Sequence, residues 1–387
     1  MAQAAGVSRP RATAGARGRK QDERTKIYVA SQAQLIWWRF RKHKLALASA
    51  VIVLAFYTVV TFAEFLAPFD ADAHSVTSQY APPQPLRLFL RQDGGLTFSP
   101  HVLGLKSVVD TQAMRRVFTI DPEKIVPVRF FVHGYRYKLL GLLSTDLHLM
   151  GPVEKSDAMY LLGADRLGRD VFTRLIYGTR ISMTLGLVGV IISLSLGIVL
   201  GGISGYFGGW MDIVIQRVIE FIISIPSIPL WLGLSAALPR HWSPVQVYFA
   251  ITLILSLRGW TGLARVVRGR FLSLREEEFV MAARLDGSSE MRLILLHMLP
   301  SFTSHIIAVV TLAIPGMILA ETSLSFLGLG LRAPAVSWGV LLQEAQNVRS
   351  VLTAPWLLSP ALLVVLAVLA FNFLGDGLRD AADPYSR

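Results

Sequence analysis

Six apolar runs, each long enough to cross a lipid bilayer as a helix, dominate this chain of 387 residues. A bilayer core about 30 Å thick needs about 20 helical residues to cross it. The composition agrees, because only 17% of the residues are charged, against about 25% in ordinary soluble proteins. The predicted spans are residues 45–66, 181–203, 213–238, 246–267, 302–327 and 355–375.

Positive charge is distributed unevenly around these runs. Eleven Lys or Arg lie in residues 1–44 against two acids, and loop 268–301 carries five arginines where loop 328–354 carries two. Lys and Arg favour the cytoplasmic side of a membrane. We therefore predict a multi-pass membrane protein with both termini in the cytoplasm and a basic, partly disordered tail over 1–44. The same asymmetry accounts for the net charge of +12, so lipid is expected as a partner and nucleic acid is not.

The long segment 67–160 separates the first two runs and is predicted to lie outside the cytoplasm. Residues 86–98 and 128–143 are typical of two β-hairpins, the first turning at 93–95 and the second at His133-Gly134. We predict a small β-containing external insertion. Its histidines lack metal-ligand spacing, so no metal site is expected.

A polar segment between the fourth and fifth runs predicts two short helices, 274–286 and 289–299. Three consecutive glutamates ending at Glu278 suit the positive end of the first helix dipole. Gly287 is a fitting left-handed stop after it, and Pro300 is expected to end the second helix.

Charged side chains within the runs have two interpretations. Glu220, Arg258 and Glu321 either face the bundle interior, with a role along a solute path, or are structural, with Glu220 paired to a snorkelling Arg217. Pro226 falls inside the third run and predicts a kinked helix there. Both interpretations of the charges stay open from sequence alone.

Four glycines late in the second run give it a small-residue face, which would let another helix approach closely. They are Gly197, Gly201, Gly202 and Gly205. Generic membrane-helix glycines are the alternative interpretation.

Catalytic signatures are missing from the sequence. It has no cysteine, no Gly-Lys pair for a phosphate-binding loop and no lysine after Lys155. We predict that the chain is not an enzyme and binds no cofactor itself. If ATP drives it, another subunit binds the ATP.

The polar segment has the spacing of the cytoplasmic coupling loop of ABC importer permeases, in which Glu-Ala-Ala is followed by Gly and then by Ile-x-Leu-Pro. Met281 stands where the family has Glu, and His297 where it has Ile. The resemblance implies that the loop contacts an ATPase. The matching residues are Ala282, Ala283, Gly287, Leu299 and Pro300.

Three further segments resemble the C-type permease subunits of dipeptide/oligopeptide/nickel-family ABC importers. They are LLGADRLGRDVFTRLIYGTRISM (161–183), ILAETSLSFLGLGLRAPAVSWGVLLQEAQ (318–346) and FNFLGDGLRDAADPYSR (371–387). The resemblance covers most of 161–387, the five-helix core, and says little about 67–160. It implies an all-α type I importer fold with six transmembrane helices in a bacterial inner membrane.

The resemblance also implies a set of partners: a second homologous permease, two cytoplasmic ATPases that carry ATP and Mg²⁺, and an extracytoplasmic solute-binding protein. Short peptides are the expected solute, and nickel, glutathione, oligosaccharides and opines are the alternatives within the family. An ion-coupled secondary transporter and a membrane scaffold are the alternatives outside it.

Overall fold

The computed structural model describes residues 31–92, 95–111, 115–239 and 241–382. Among these residues five helices are long and apolar enough to cross a membrane, and two further helices, bent by 87° at a short break, pass the same test together as a sixth candidate span. The chain is a mostly helical polytopic membrane protein with a small sheet, as predicted. Residues 1–30 of the predicted basic tail lie outside the described residues. Spans 1 to 6 are Lys44–Thr61, Val171–Phe207, Gly209–Ser224 with Ser227–Ala236, Pro244–Leu274, Thr303–Phe326 and Ser359–Ala382.

Shorter elements join the spans. The short α-helices are Gln32–Phe40, Ala63–Leu66, Glu278–Leu285, Glu290–Arg292, Leu299–Ser301, Trp338–Gln343 and Val348–Thr353. The 3₁₀ turns are Val76–Ser78, Glu344–Gln346 and Pro355–Leu358, and Leu293–Met298 is a π-helix.

Spans 2 and 4 extend beyond their apolar runs, span 2 mainly at its start and span 4 mainly at its end, which is Leu274 against the predicted 267. Span 2 begins ten residues before the predicted start at 181, where the Asp170 carboxylate accepts the Thr173 backbone N–H at 2.8 Å. Span 4 begins at a capping box made by Ser243 and Gln246. Hydropathy marks only the apolar middle of such helices.

The glycine face of span 2 packs directly against span 4. A Cβ added at Gly197 would lie 2.9 Å from the Leu263 Cβ, and one at Gly201 would lie 2.5 Å from the Ala264 carbonyl oxygen. At Gly202 the nearest atom is 3.6 Å away. Gly197, Gly201 and Gly205 are therefore positions where the close approach requires glycine, as predicted, whereas Gly202 has room for a Cβ in ordinary van der Waals contact.

Four antiparallel strands form the insertion, in the order β1-β2-β3-β4. Their bounds are Arg87–Gln92, Gly95–Asp110, Arg115–Leu139 and Leu143–Pro152. The first predicted hairpin is present, with Gln92 paired to Gly95, although its two turn residues lie outside the described ones.

The predicted turn at His133-Gly134 is wrong. Strand β3 continues through both residues, and the chain reverses at 140–142. Gly134 is instead a close-approach glycine, since a Cβ there would lie 2.5 Å from the His148 ring. The strand register shifts just beyond it, as expected of a β-bulge.

A buried histidine attaches the sheet to the helices. The His148 Nδ1 lies 2.8 Å from the Ala67 carbonyl oxygen, and its Nε2 lies 3.0 Å from the Tyr135 carbonyl oxygen. The Tyr135 hydroxyl lies 2.9 Å from that of Tyr177 in span 2. The sheet therefore sits against the end of span 1 and the beginning of span 2, which we call the sheet end of the bundle.

Candidate coupling segment and buried polar network

The polar segment between spans 4 and 5, residues 275–302, begins where span 4 ends. The predicted helix over 274–286 is shorter in the structure, Glu278–Leu285, because span 4 continues to Leu274 and the chain turns before Glu277. Of the three consecutive glutamates, only Glu278 therefore lies in the first turn of the helix. We call residues 275–302 the coupling segment.

Gly287 ends the first short helix in the left-handed conformation, with φ +78°. Its N–H donates to the Arg284 carbonyl at 3.1 Å, and the Ser288 N–H donates to the Ala283 carbonyl at 3.1 Å. This pair of hydrogen bonds is a Schellman motif, and it confirms the predicted stop. A Cβ at Gly287 would meet no atom within 4 Å, so the backbone conformation alone requires glycine.

The second short helix does not end at Pro300, which corrects the prediction. The helical path runs from Glu290 through a π-helical stretch to Ser301, and the chain leaves it at Phe302. Pro300 stands at the start of the last α-helical stretch. A missing N–H and a fixed φ are tolerated there.

One face of the coupling segment is buried. Val280, Ile294 and Met298 pack in one cluster with Phe271 of span 4 and Phe302 at the start of span 5. The two phenylalanine rings meet edge to face at 5.8 Å. A push on this segment would therefore act on spans 4 and 5 together.

The other face presents apolar side chains outward. Leu285 is 88% exposed and Met291 is 64% exposed. Apolar surface concentrated in this way is typical of a protein or membrane contact. Phe279, Met281, Leu295 and Leu296 are exposed as well. Among the predicted coupling residues, Glu278, Ala282, Gly287 and Pro300 are exposed, while Ala283, His297 and Leu299 are half-buried.

An ion pair that the sequence analysis missed lies near the end of span 4 that leads into the coupling segment. Both carboxylate oxygens of Asp212 lie 2.5 Å from guanidinium nitrogens of Arg268, and the Ser204 hydroxyl donates to the same carboxylate. The three residues come from spans 3, 4 and 2. Asp212 and Arg268 are 56 residues apart in sequence, so no local spacing pattern predicts the pair.

Glu321 of span 5 is fully buried near the sheet end. Its carboxyl oxygens accept hydrogen bonds from the hydroxyls of Ser182 at 3.1 Å, Ser325 at 2.8 Å and Ser337 at 2.7 Å. Three donors satisfy the buried acceptor without a cation. The network joins span 2, span 5 and the loop that follows span 5.

Each of the three hydroxyls also accepts a backbone N–H, so its own proton is directed at Glu321. The N–H donors are Trp338 to Ser182, Leu331 to Ser325 and Val340 to Ser337, at 3.1, 3.0 and 3.2 Å. The segments that carried the Glu-Thr-x-Leu-Ser and Ser-Trp-Gly resemblance thus meet around one carboxyl group.

The sequence matches known transport proteins in two regions and along most of its length. The family described as the binding-protein-dependent transport system inner membrane component matches residues 197–387, and the N-terminal TM domain of oligopeptide transport permease C matches residues 31–83. The dipeptide transport system permease protein of Bacillus subtilis is 30% identical over 359 residues, which are 92% of this chain and 87% of that protein. The chain belongs to the binding-protein-dependent transport permeases.

Two further relatives of this permease are oligopeptide transport system permease proteins. That of Haemophilus influenzae is 38% identical over 244 residues, which are 63% of this chain and 76% of the relative. That of Mycobacterium bovis is 38% identical over 259 residues, 66% of this chain and 87% of the relative. The resemblance to C-type dipeptide and oligopeptide permease subunits is confirmed. The permease's sheet lies between the two matched regions.

Arg258 of the permease lies at the break in span 3. Its Nη1 donates to the carbonyl oxygens of Ile222, Ile223 and Ile225 at 3.3, 3.4 and 2.9 Å. The helix stops at Ser224 before Pro226 and leaves these carbonyls without helical partners. The predicted kink is thus a full break, and Arg258 caps it.

Glu220 lies on the exposed surface of span 3 and pairs with Arg217, 2.7 Å away and one turn earlier. The described hydrogen bonds and ion pairs join none of Glu220, Arg258 and Glu321 to another. The structure therefore distributes the three predicted polar residues over three separate environments.

Proposed function

We propose that this permease is the non-enzymatic translocation subunit of an ATP-driven, binding-protein-dependent importer of short peptides. The observation that carries the proposal is the exposed apolar face of the coupling segment, with Leu285 at its centre, in a chain whose relatives are named peptide permeases. A soluble partner that covers this face gains the free energy of apolar burial.

The proposed partners are those of the family. A second homologous permease completes the pore, two cytoplasmic ATPases bind ATP and Mg²⁺ and cover the coupling segments, and an extracytoplasmic binding protein delivers the peptide. This chain itself then needs no cofactor. In this arrangement both termini and the coupling segment lie in the cytoplasm of a bacterial cell, and the sheet lies outside the inner membrane. The arginines of loop 268–301 support that orientation.

The contacts suggest how ATPase movement reaches the pore. Closure of the ATPases moves the coupling segment as a rigid body. Its buried face pushes on Phe271 and Phe302, and so on spans 4 and 5. The Asp212–Arg268 ion pair carries the movement of span 4 to span 3. Arg258, which also belongs to span 4, binds the carbonyl groups at the break in span 3.

A pair of matched variants tests the docking proposal. Leu285→Glu places a charge in the exposed face of the coupling segment, and Leu352→Glu places one on a leucine that is 80% exposed in the loop before span 6. We expect Leu285→Glu to lose ATPase co-purification while Leu352→Glu keeps it. Equal ATPase recovery from both variants would contradict the proposal.

The solute and the energy source need a second experiment. Membranes containing the full transporter are loaded with ATP and supplied with binding protein and labelled tripeptide. We expect uptake to require ATP and to be competed by unlabelled short peptides, but not by nickel, glutathione, an oligosaccharide or an opine. Uptake driven by an ion gradient without ATP would overturn the importer proposal. Competition by one of the other solutes alone would overturn only the choice of peptide.

A further inference from the structure

The turn between β3 and β4 is built from leucines. Its sequence over 139–143 is Leu-Leu-Gly-Leu-Leu. Leu140 is 57%, Leu142 84% and Leu143 68% exposed. A hairpin turn normally carries polar residues and glycine, so an apolar turn at the tip of a long hairpin requires an explanation. We call residues 139–143 the leucine turn.

The backbone of the leucine turn works against its sequence. Leu140 has φ +51° and Gly141 has φ +75°, and the Leu142 N–H donates to the Leu139 carbonyl at 3.0 Å. Two successive positive φ values favour Asn-Gly or Asp-Gly at these positions. A leucine is strained there. Position 140 therefore holds a leucine although the turn favours Asn or Asp. This mismatch points to a contact made by the Leu140 side chain.

The hairpin points along the spans. Near its start, Val128 packs in one cluster with Phe69, beyond the end of span 1. Further along β3 the Phe131 ring lies 6.3 Å from that of Phe65. Along β3, the residues it contacts therefore change from Phe69 to Phe65, which is nearer the end of span 1. The strand runs toward the membrane and not away from it.

The contacts of Tyr135 show how far the hairpin tip reaches along the spans. Its hydroxyl meets that of Tyr177 in span 2, four residues before the apolar run that begins at 181, or about 6 Å along the helix at 1.5 Å per residue. The leucine turn lies about five residues beyond Tyr135, or roughly 16 Å of extended strand. That length is enough for the tip to reach the level at which the apolar run of span 2, and with it the lipid, begins.

We propose that the leucine turn inserts into the lipid leaflet at the sheet end of the bundle, beside span 1. Span 1 and its C-cap also present apolar side chains outward, since Leu54 and Phe62 are exposed. Arg136 and Lys138 are exposed on β3 just before the turn, at a level where they meet anionic headgroups. The occupant is thus a lipid surface that carries negative charge.

The leucine side chains enter the leaflet only as far as the boundary between headgroups and acyl chains. Strand β4 is an edge strand, and unpaired backbone groups are not tolerated in the hydrocarbon core. The leucine side chains enter the leaflet while the ladder of hydrogen bonds stays above it. This anchor goes beyond peptide import and does not depend on it.

Because the chain has no cysteine, single probe sites test the proposal. A cysteine replaces Leu142, and in a matched control it replaces Leu96, a leucine 76% exposed beside the turn of the first hairpin. Each is labelled with an environment-sensitive fluorophore in the full permease, in vesicles of phosphatidylcholine and phosphatidylglycerol. We expect nitroxide-labelled lipid to quench the probe at 142 while aqueous iodide does not, and the reverse at 96.

Iodide quenching at 142 would overturn the proposal, because the turn would then be in water. Protection of position 142 from both quenchers would overturn it too, because a protein, such as the second permease, would then cover the turn. The double variant Arg136→Gln/Lys138→Gln tests the charge. Lipid quenching at 142 should depend on phosphatidylglycerol content in the otherwise native chain and lose that dependence in the variant. Dependence that persists would overturn the role of the two basic residues.

Discussion

Arg268 and Asp212 form a bidentate ion pair, with both carboxylate oxygens 2.5 Å from guanidinium nitrogens. Arg268 lies six residues before the end of span 4, and Asp212 lies in the first turn of span 3. The pair therefore joins the broken span to the helix that leads into the coupling segment. A planar fork on a carboxylate is more specific than a single ammonium contact.

Replacement of Arg268 should therefore depend on geometry as well as charge. Arg268→Gln should lower the free energy of unfolding by about 1.5–3 kcal/mol, the range for hydrogen bonds to charged groups. Arg268→Lys should cost less but not nothing, because lysine keeps the charge and loses the fork. Arg270→Gln, at an exposed arginine two residues on, is the control. Thermal unfolding of the purified permease checks this, and equal losses for the two Gln variants would contradict it.

Two adjacent glycines in span 2 should respond oppositely to the same change. Gly201→Ala places a Cβ 2.5 Å from the Ala264 carbonyl oxygen and should destabilise by about 1–3 kcal/mol. Gly202→Ala has 3.6 Å of room and should be neutral or stabilise by up to about 1 kcal/mol, because alanine favours helix. Thermal unfolding of the two variants decides the matter. A Gly201→Ala protein as stable as Gly202→Ala would contradict the close packing of spans 2 and 4.

The buried network around Glu321 predicts that stability depends on Ser337, which lies 16 positions away in sequence. Ser337→Ala removes a donor to Glu321 and the cap of the Val340 N–H, so it should cost about 1–3 kcal/mol of stability. Ser323→Ala, at an exposed serine of the same span 5, should change stability by less than about 0.5 kcal/mol. Both are measured by thermal unfolding in one detergent. Equal stability of the two variants would show that the network contributes nothing.

Asp170 should make the stability of the permease depend on pH. Burial raises the pKa of its carboxyl from the ordinary 3.8 to about 6, and its Oδ1 has no hydrogen-bond partner among the described residues. Because the folded state then binds this proton more tightly than the unfolded chain, the free energy of unfolding falls as pH rises from about 4 to about 6 and levels off above. The total is roughly 3 kcal/mol at 1.36 kcal/mol per unit.

Asp170→Asn isolates this contribution. The amide oxygen still caps span 2 through the Thr173 N–H, and the side chain carries no charge. We expect the variant to be more stable than the original chain at pH 8 and to lack the decline between pH 4 and 6. Parallel stability curves for the two proteins across that interval would contradict the assignment to Asp170.

The parts of the fold that follow from composition were predictable. Apolar runs locate all six crossings because each crossing must bury about 20 residues in lipid. The true ends of spans 2 and 4 were missed, because a cap at Asp170 starts span 2 before its apolar stretch and span 4 continues through the arginine-bearing residues 268–274. The glycine stop at Gly287 was found because a left-handed conformation leaves a local signature in the sequence.

Features that depend on distant contacts were not predictable. Gly134 suggested a turn because glycine serves both turns and close approaches, and only the position of His148 decides between them. The capping of the span 3 break by Arg258 and the pairing of Asp212 with Arg268 join residues that are 33 and 56 positions apart. No periodicity in the sequence encodes such pairs.

The amount of peptide imported per ATP hydrolysed by reconstituted Gly287 variants tests most directly whether the coupling segment transmits ATPase movement. At φ +78°, with no atom of the permease within 4 Å of an added Cβ, the substitution changes the backbone preference without a clash inside the described chain. Gly287→Val should lower this ratio roughly tenfold, the equivalent of 1–2 kcal/mol of left-handed strain, while the protein still inserts. Gly287→Asn, which tolerates that conformation, should stay near the original ratio. A Gly287→Val transporter that imports as much peptide per ATP as the original would contradict the account.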